Sequence, residues 1–237
     1  MNNKMIQRHT KPAIFIHWFN AVCWLLLLAT GLGLINNPAL SPVGMWWPTT
    51  LQNLVGGGEL LFIHVAIGII WMVGYLVFIL MNPKQHLFKY TREILTVSPV
   101  RDLNWLFKKM VILTLGEKML KRFGMDSKLP EQGFYNFGQK FFAIPATFGG
   151  VVIAVTGIIM TLSKFMYVYT ALVQWSILIH FVVVGLVFAG LLIHIYMAAL
   201  LKEERPAFFS MFSGEIPESF AKHHNKLWYE EQMELKN

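Results

Sequence analysis

The stretch SILIHFVVVGLVFAGLLIHIYMA, Ser176 to Ala198, decides what kind of protein this is. It lies within an apolar run from Val173 to Leu201, long enough to cross a bilayer as a helix, which takes about 20 mainly apolar residues. Two histidines, His180 and His194, interrupt the run. Their spacing of 14 residues is close to four helical turns, so both rings leave one face of the helix about 21 Å apart along its axis. An imidazole in hydrocarbon needs a partner, and two at opposite ends of one span predict two partners stacked across the membrane. Two haems meet that requirement if the rest of the chain supplies two more ligands.

Working outward, three further runs pass the same length test: residues 13–35, 60–81 and 141–162, with 173–201 as the fourth. The first run carries His17 and Asn20 and is followed by no small-residue cleavage site, so it reads as a span and not as a signal peptide. The composition agrees: 55% of residues are apolar and only 14% charged, against about 25% charged in ordinary soluble domains. The chain is expected to be an all-α membrane protein, a four-transmembrane-helix bundle forming one domain over residues 1–237. A loop at 82–140 and a tail at 202–237 complete it.

Charge sets the orientation. Nineteen of the 20 Lys and Arg residues precede span one, lie between spans two and three, or follow span four; only Lys164 lies on the other side. The positive-inside rule therefore predicts that both termini and the loop 82–140 are cytoplasmic. The net charge of +7 is then a matter of topology, and a nucleic-acid partner is not expected. The outer loop carries Trp46-Trp47, suited to the membrane interface. In the long loop, Leu103, Leu106, Phe107, Met110 and Leu113 fall at helical spacing with Lys108 and Lys109 between them. That pattern predicts an amphipathic helix, lying on the membrane surface or packed on a soluble partner. The single cysteine, Cys23, excludes a disulfide framework and any cysteine-built zinc or iron–sulfur site.

Four of the eight histidines, His9, His86, His223 and His224, fall in polar segments and read as solvated side chains. The other four are intramembrane, and topology sorts them by depth: His17 and His194 near the inner side, His64 and His180 near the outer side. Of the three ways to pair four ligands, depth selects His17 with His194 and His64 with His180. Iron held by two imidazoles is six-coordinate and closed to oxygen or substrate, which suits electron transfer. Metal transport would call for carboxylates near the midplane, and the four spans hold no Asp or Glu. A histidine-dependent membrane transporter remains the rival from a different class.

These residues resemble the cytochrome b (gamma) subunit of respiratory membrane-bound formate dehydrogenases. The resemblance rests on His17-Trp18 and Thr30-Gly31, on His64 with Gly68, and on Tyr135-Asn136-Phe137-Gly138-Gln139-Lys140 before span three. The motifs around His180 and His194, with Ala221-Lys222-His223-His224 and Trp228-Tyr229 in the tail, complete it. It implies two b haems on His17, His64, His180 and His194 in the pairing above, with iron as the metal. It also implies a menaquinone or ubiquinone site at Asn136, Gly138 and Gln139 beside His194; Asn and Gln can hydrogen-bond a quinone carbonyl and glycine allows close approach. Tyr196 and the pair His223-His224 are further polar groups expected on that side.

The implied function is an electron-transfer subunit in anaerobic respiration, in the bacterial cytoplasmic (inner) membrane. It would connect an iron–sulfur subunit, and through it a molybdenum or tungsten catalytic subunit, to the quinone pool. The chain itself carries no catalytic nucleophile. Membrane lipid is a further partner, and a higher oligomer of the complex is compatible with the resemblance. Related cytochromes b serve nickel–iron hydrogenases and thiosulfate or polysulfide reductases, which stand as alternatives. Relatives often carry an arginine three residues before the first histidine; here Ile14 stands there, leaving Lys11 or Arg8 as the haem-propionate candidates. The loop 82–140 looks longer than in close relatives, which implies an unusual cytoplasmic contact.

Overall fold

The computed structural model describes residues 4–235; Lys236, counted above with the inner basic residues, lies outside them. Four helices carry the apolar runs: α1 (Lys11–Gly33), α3 (Gly57–Met81), α7 (Phe137–Leu162) and α8 (Thr170–Ile195). Two of their ends, Met81 and Leu162, coincide with those of the apolar runs, and the others differ by two to six residues because local capping sets helix ends. Thr10 caps α1 by accepting the Ala13 N–H, with Pro12 in the first turn where its missing N–H costs nothing. Before α3, Gly56 has φ +85°, and a methyl group there would lie 2.2 Å from the Glu59 carboxylate, so only glycine serves at the corner. At its far end α8 loosens into a π-helical turn, Tyr196–Leu200.

The four spans are apolar all round and yet almost unburied. The most apolar window of α3 has a mean hydropathy of 2.4 with none of it buried inside the protein. In water such a surface would collapse; within hydrocarbon it is at its lowest free energy, and every helical backbone group is already paired. The molecule is an integral membrane protein of the all-α class.

The chain divides into two compact units. The span unit holds Thr10–Pro83 and Phe148–Ala189. Within it α1 packs along α3, and α2 (Trp46–Val55) is tied to α1 by Trp47 Nε1 donating to the Ala29 carbonyl (2.9 Å) and Gln52 donating to the Gly33 carbonyl (2.8 Å). Asn20 finds its partner in the Trp71 indole N–H at 2.9 Å, which satisfies a polar side chain in an apolar helix.

The second unit comprises the segment ending at His9, Lys84–Thr147 and the chain from Gly190 onward. Here β1 (Met5–Gln7) and β2 (Glu215–Pro217) pair antiparallel, Ile6 opposite Ile216. β2 follows α9 (Arg205–Ser213), and both isoleucines join Phe220 and Ala221 of α10 (Glu218–His224) and Trp228 of α11 (Lys226–Glu234) in a small core. The pairing brings the N-terminal arm and the C-terminal tail together. Arg8 is locked into this unit: its guanidinium donates to Asn225 Oδ1 and to the Phe134 carbonyl, both at 2.7 Å, and lies over the Phe134 and Trp228 rings. Burial pulls its pKa down to about 10, so it stays charged at neutral pH. Arg8 Nη1 and Nη2 thus have partners within this unit, while its buried Nε has none among the described residues.

The long loop folds into a π-helical turn (Lys84–Lys89), α4 (Tyr90–Leu95), α5 (Pro99–Leu115) and α6 (Glu117–Arg122). The amphipathic helix expected near residue 103 exists as α5, but with its lysines turned inward. Lys108 pairs with Asp126 and donates to the Lys128 carbonyl (2.9 Å), and Lys109 pairs with Glu204 (3.2 Å) and Glu203 (3.5 Å).

Candidate functional site

His64 on α3 and His180 on α8 come together in the span unit, their ring centroids 6.5 Å apart. Each ring is held by a threonine on a neighbouring helix. Thr30 Oγ1 on α1 lies 2.9 Å from His64 Nδ1, and Thr156 Oγ1 on α7 lies 2.9 Å from His180 Nδ1. Each hydroxyl also donates its one proton to a carbonyl a turn earlier in its own helix: Thr30 to Leu26 at 2.8 Å, Thr156 to Val152 at 2.7 Å. Having spent that proton, each oxygen can only accept from the histidine. Both histidines thus carry their proton on Nδ1, and the lone pair of each is on Nε2, as a metal ligand requires.

The residue after each threonine is glycine. A methyl group at Gly31 would sit 3.2 Å from His64 Cε1, and one at Gly157 would sit 3.6 Å from His180 Cε1. A Thr-Gly pair on one helix therefore serves a histidine on the next, twice in the unit.

The pair fits a bis-imidazole iron site. An imidazole–metal bond is about 2.0–2.1 Å and the ring centre lies about 1.2 Å behind the nitrogen, so two rings on opposite sides of one metal stand about 6.4 Å apart. The observed 6.5 Å meets that spacing. The 67° between the ring planes does not conflict with two imidazoles that would hold one iron.

The other two histidines belong to different units. His17, on α1 in the span unit, packs edge-on against Trp18 with centroids 5.3 Å apart. His194, near the end of α8, stacks face to face on Phe142 of α7 at 4.7 Å and 18°. Gly190, one turn earlier, leaves room for that ring, since a methyl group there would come within 3.0 Å of Phe142.

Asn136 and Gln139 form a reciprocal cap at the start of α7. Asn136 Oδ1 accepts the Gln139 N–H at 2.9 Å, and Gln139 Oε1 accepts the Asn136 N–H at 3.1 Å. Both side-chain oxygens are thereby used by the helix, and the two amide NH₂ groups remain as donors, the polarity a quinone carbonyl requires. Gly138 faces the Trp105 ring, which a methyl group would meet at 3.3 Å; the close approach it permits is that of Trp105. Two tyrosines of the same unit add to this region. Tyr90 shares a hydrogen bond with Thr147 (2.9 Å) and packs edge-on against Tyr135. Burial raises both phenols above their ordinary pKa, so both are neutral donors near pH 7. In the tail, His224 stacks on Phe220 at 4.2 Å, its buried Nδ1 without a partner among the described residues, and burial lowers its pKa.

Sequence reasoning missed Thr156 altogether and assigned Thr30 no role. The available signal was the repeated Thr-Gly dipeptide, 30–31 and 156–157, each on an apolar helix beside one that carries a histidine.

Comparison with known proteins places this geometry in context. Residues 8–214 match the family model described as prokaryotic cytochrome b561. The chain is 26% identical over 234 residues to the formate dehydrogenase cytochrome b556 subunit of Haemophilus influenzae, covering 98% of this chain and 85% of that protein. Against the formate dehydrogenase cytochrome b556(fdo) subunit of Escherichia coli K12 it is 25% identical over 229 residues, 95% of this chain and 92% of the relative. The nitrate-inducible formate dehydrogenase cytochrome b556(Fdn) subunit of the same organism is 26% identical over 234 residues, 97% and 92% of the two chains.

Proposed function

Since the chain belongs to the prokaryotic cytochrome b561 family, and is thus a membrane cytochrome b that carries haem b, we propose that it transfers electrons between a formate dehydrogenase-type complex and the quinone pool. The observation that carries the reading is the His64–His180 pair, spaced for one iron and held in the ligating tautomer by Thr30 and Thr156. When bound, a haem with two imidazole ligands passes single electrons and leaves no open position for oxygen. The protein's own part is to fix the two rings, keep their protons on Nδ1 and surround them with apolar helices that exclude water.

The second haem is assigned to His17 and His194, a pairing that rests on their common depth in the sequence. The quinone, menaquinone or ubiquinone, is assigned to Asn136, Gly138 and Gln139 beside His194, supported by the two amide NH₂ groups that the cap leaves over. An iron–sulfur subunit and a molybdenum or tungsten catalytic subunit are the proposed partners. The names of the relatives support formate as the substrate of that complex. The proposed location is the bacterial inner membrane with both termini cytoplasmic, supported by the basic residues and by the β1–β2 pairing of the two ends.

The test is His64→Ala, with His180→Ala beside it, in the purified complex. Each is expected to remove one of two b haems by pyridine haemochrome assay and to abolish formate-driven quinone reduction. Full haem content in both variants would overturn the assignment. Proteins that co-purify in mild detergent, identified by mass spectrometry, distinguish formate dehydrogenase from a hydrogenase or thiosulfate reductase partner.

A further inference from the structure

The long loop is built inside out for a segment in water. On α5 the face turned into the protein carries Asp102, Trp105, Lys108 and Lys109, all of them buried. The face turned outward carries Val100 (86% exposed), Leu103 (57%), Phe107 (48%) and Met110 (56%), which fall at i, i+3, i+7 and i+10 on one stripe. Phe123 extends it, its ring 6.5 Å from Phe107, and Phe88 and Leu95 stand exposed before it. A helix that turns its paired lysines inward and shows its leucines outward is matched to an apolar surrounding.

Contacts within the same unit set the level of this segment. Tyr90 of α4 bonds to Thr147, ten residues into the apolar helix α7 and thus about 15 Å along it. Lys140 donates to the Thr96 carbonyl at the end of α4 (2.6 Å). Trp105 of α5 packs at Gly138, and Gln132 links Asp102 (3.4 Å) to the first N–H of α7, that of Phe137 (2.8 Å). The buried face of α5 is therefore fastened to the end of a membrane span. Among the exposed charges of residues 84–123 the basic ones predominate: Lys84, Lys89 and Arg92 precede the stripe in sequence and Lys118, Lys121 and Arg122 follow it, against the single acid Glu117.

We propose that residues 84–123 form an interfacial layer seated on the bilayer, the outer face of α5 in the acyl region and the basic flanks on anionic phospholipid headgroups. This goes beyond electron transfer and does not depend on any haem assignment. It gives the long loop a role of its own: a lipid-bound collar at the end of α7 that anchors the Asn136–Gln139 region. The choice of lipid over a protein partner follows from the level of the segment beside α7 and from the basic rim, which complements an anionic leaflet.

The test uses the full-length chain in nanodiscs, with cysteine placed at Leu103 or Met110 and labelled with bimane; Cys23 is buried, and the unsubstituted parent gives the background. Lys128→Cys, exposed and off the stripe, is the control. Expected is quenching of the Leu103 and Met110 labels by lipid carrying a nitroxide near the headgroup, and of the Lys128 label by aqueous iodide instead. Quenching of the stripe labels by iodide would overturn the proposal. So would protection from both quenchers appearing only in the whole complex, which would identify a protein interface. The headgroup arm compares pure phosphatidylcholine with a phosphatidylglycerol mixture. Lipid quenching is expected to rise severalfold with phosphatidylglycerol, and that rise to vanish in the triple variant Lys118→Ser, Lys121→Ser, Arg122→Ser. Equal quenching in both lipids would refute the basic contribution.

Discussion

Replacing Thr30 with valine keeps the shape of the side chain and removes one acceptor. In the native protein the Thr30 oxygen accepts from His64 Nδ1 at 2.9 Å. Valine leaves that half-buried ring N–H without its threonine acceptor, so the loss falls at the low end of the 1–3 kcal/mol for an unmet donor, about 1–1.5 kcal/mol. Part of that energy favours ferric over ferrous iron, because a hydrogen bond from Nδ1–H makes the imidazole a stronger electron donor. Tenfold in equilibrium is about 59 mV for one electron, so the midpoint potential is expected to rise by about 20–60 mV. The haem should also be held about tenfold less tightly. Redox titration of the purified protein, followed at the b-type absorption band, reads the shift, and Thr30→Ser should restore the native value. Thr156 has the same 2.9 Å geometry at His180, and both histidines are assigned to one iron. Thr156→Val must therefore move the same one of the two titration waves that Thr30→Val moves. Two different waves, or no shift in either variant, would refute the shared site.

The two glycines beside these threonines should respond differently to alanine. Gly157→Ala meets His180 at an ordinary 3.6 Å and gains helix propensity, so haem spectrum and stability should be unchanged or improved by up to about 1 kcal/mol. Gly31→Ala meets His64 at 3.2 Å and should shift the ring, read as altered low-temperature electron paramagnetic resonance of that haem. Gly74→Ala drives a methyl group to within 2.5 Å of the Phe19 ring between α1 and α3 and should cost about 1–3 kcal/mol; Gly68→Ala, with its nearest neighbour at 3.9 Å, should cost nothing, by thermal unfolding in detergent. Burial alone would raise the Asp102 carboxyl, but the Ser98 N–H and the Arg101 guanidinium outweigh it and hold its pKa below the ordinary aspartate value. Its stabilisation is then complete above about pH 4 and fades as acid protonates it, so the loop should loosen only below that pH. Asp102→Ala should cost about 1–3 kcal/mol at neutral pH and abolish that acid step, measured by protease sensitivity of the loop against pH.

The spans and the four histidines were legible in the sequence because a membrane helix must satisfy its backbone internally and face lipid, which leaves runs of about 20 apolar residues. A histidine in such a run stands out against its background. The capping of α7 by Asn136 and Gln139 went unread in the sequence, although a cap is a matter of four consecutive residues. The orienting threonines were not legible, because Thr30 and His64 lie 34 residues apart and Thr156 and His180 lie 24 apart. A threonine that back-bonds to its own helix looks the same in sequence whether or not a histidine lies opposite. The direction of α5 escaped for a related reason: its spacing revealed two faces, but not which one would be turned inward.

For Ser176 to Ala198, then, the sequence alone determined that a membrane helix presents two histidines about four turns apart, because length, apolarity and helical period are local quantities. That His180 is met by His64 at 6.5 Å, with both rings held in the ligating tautomer, was decided only by the packing of α1, α3, α7 and α8 in the span unit. Ligation needs a lone pair aimed within tenths of an ångström, and only the folded chain places four helices with that accuracy.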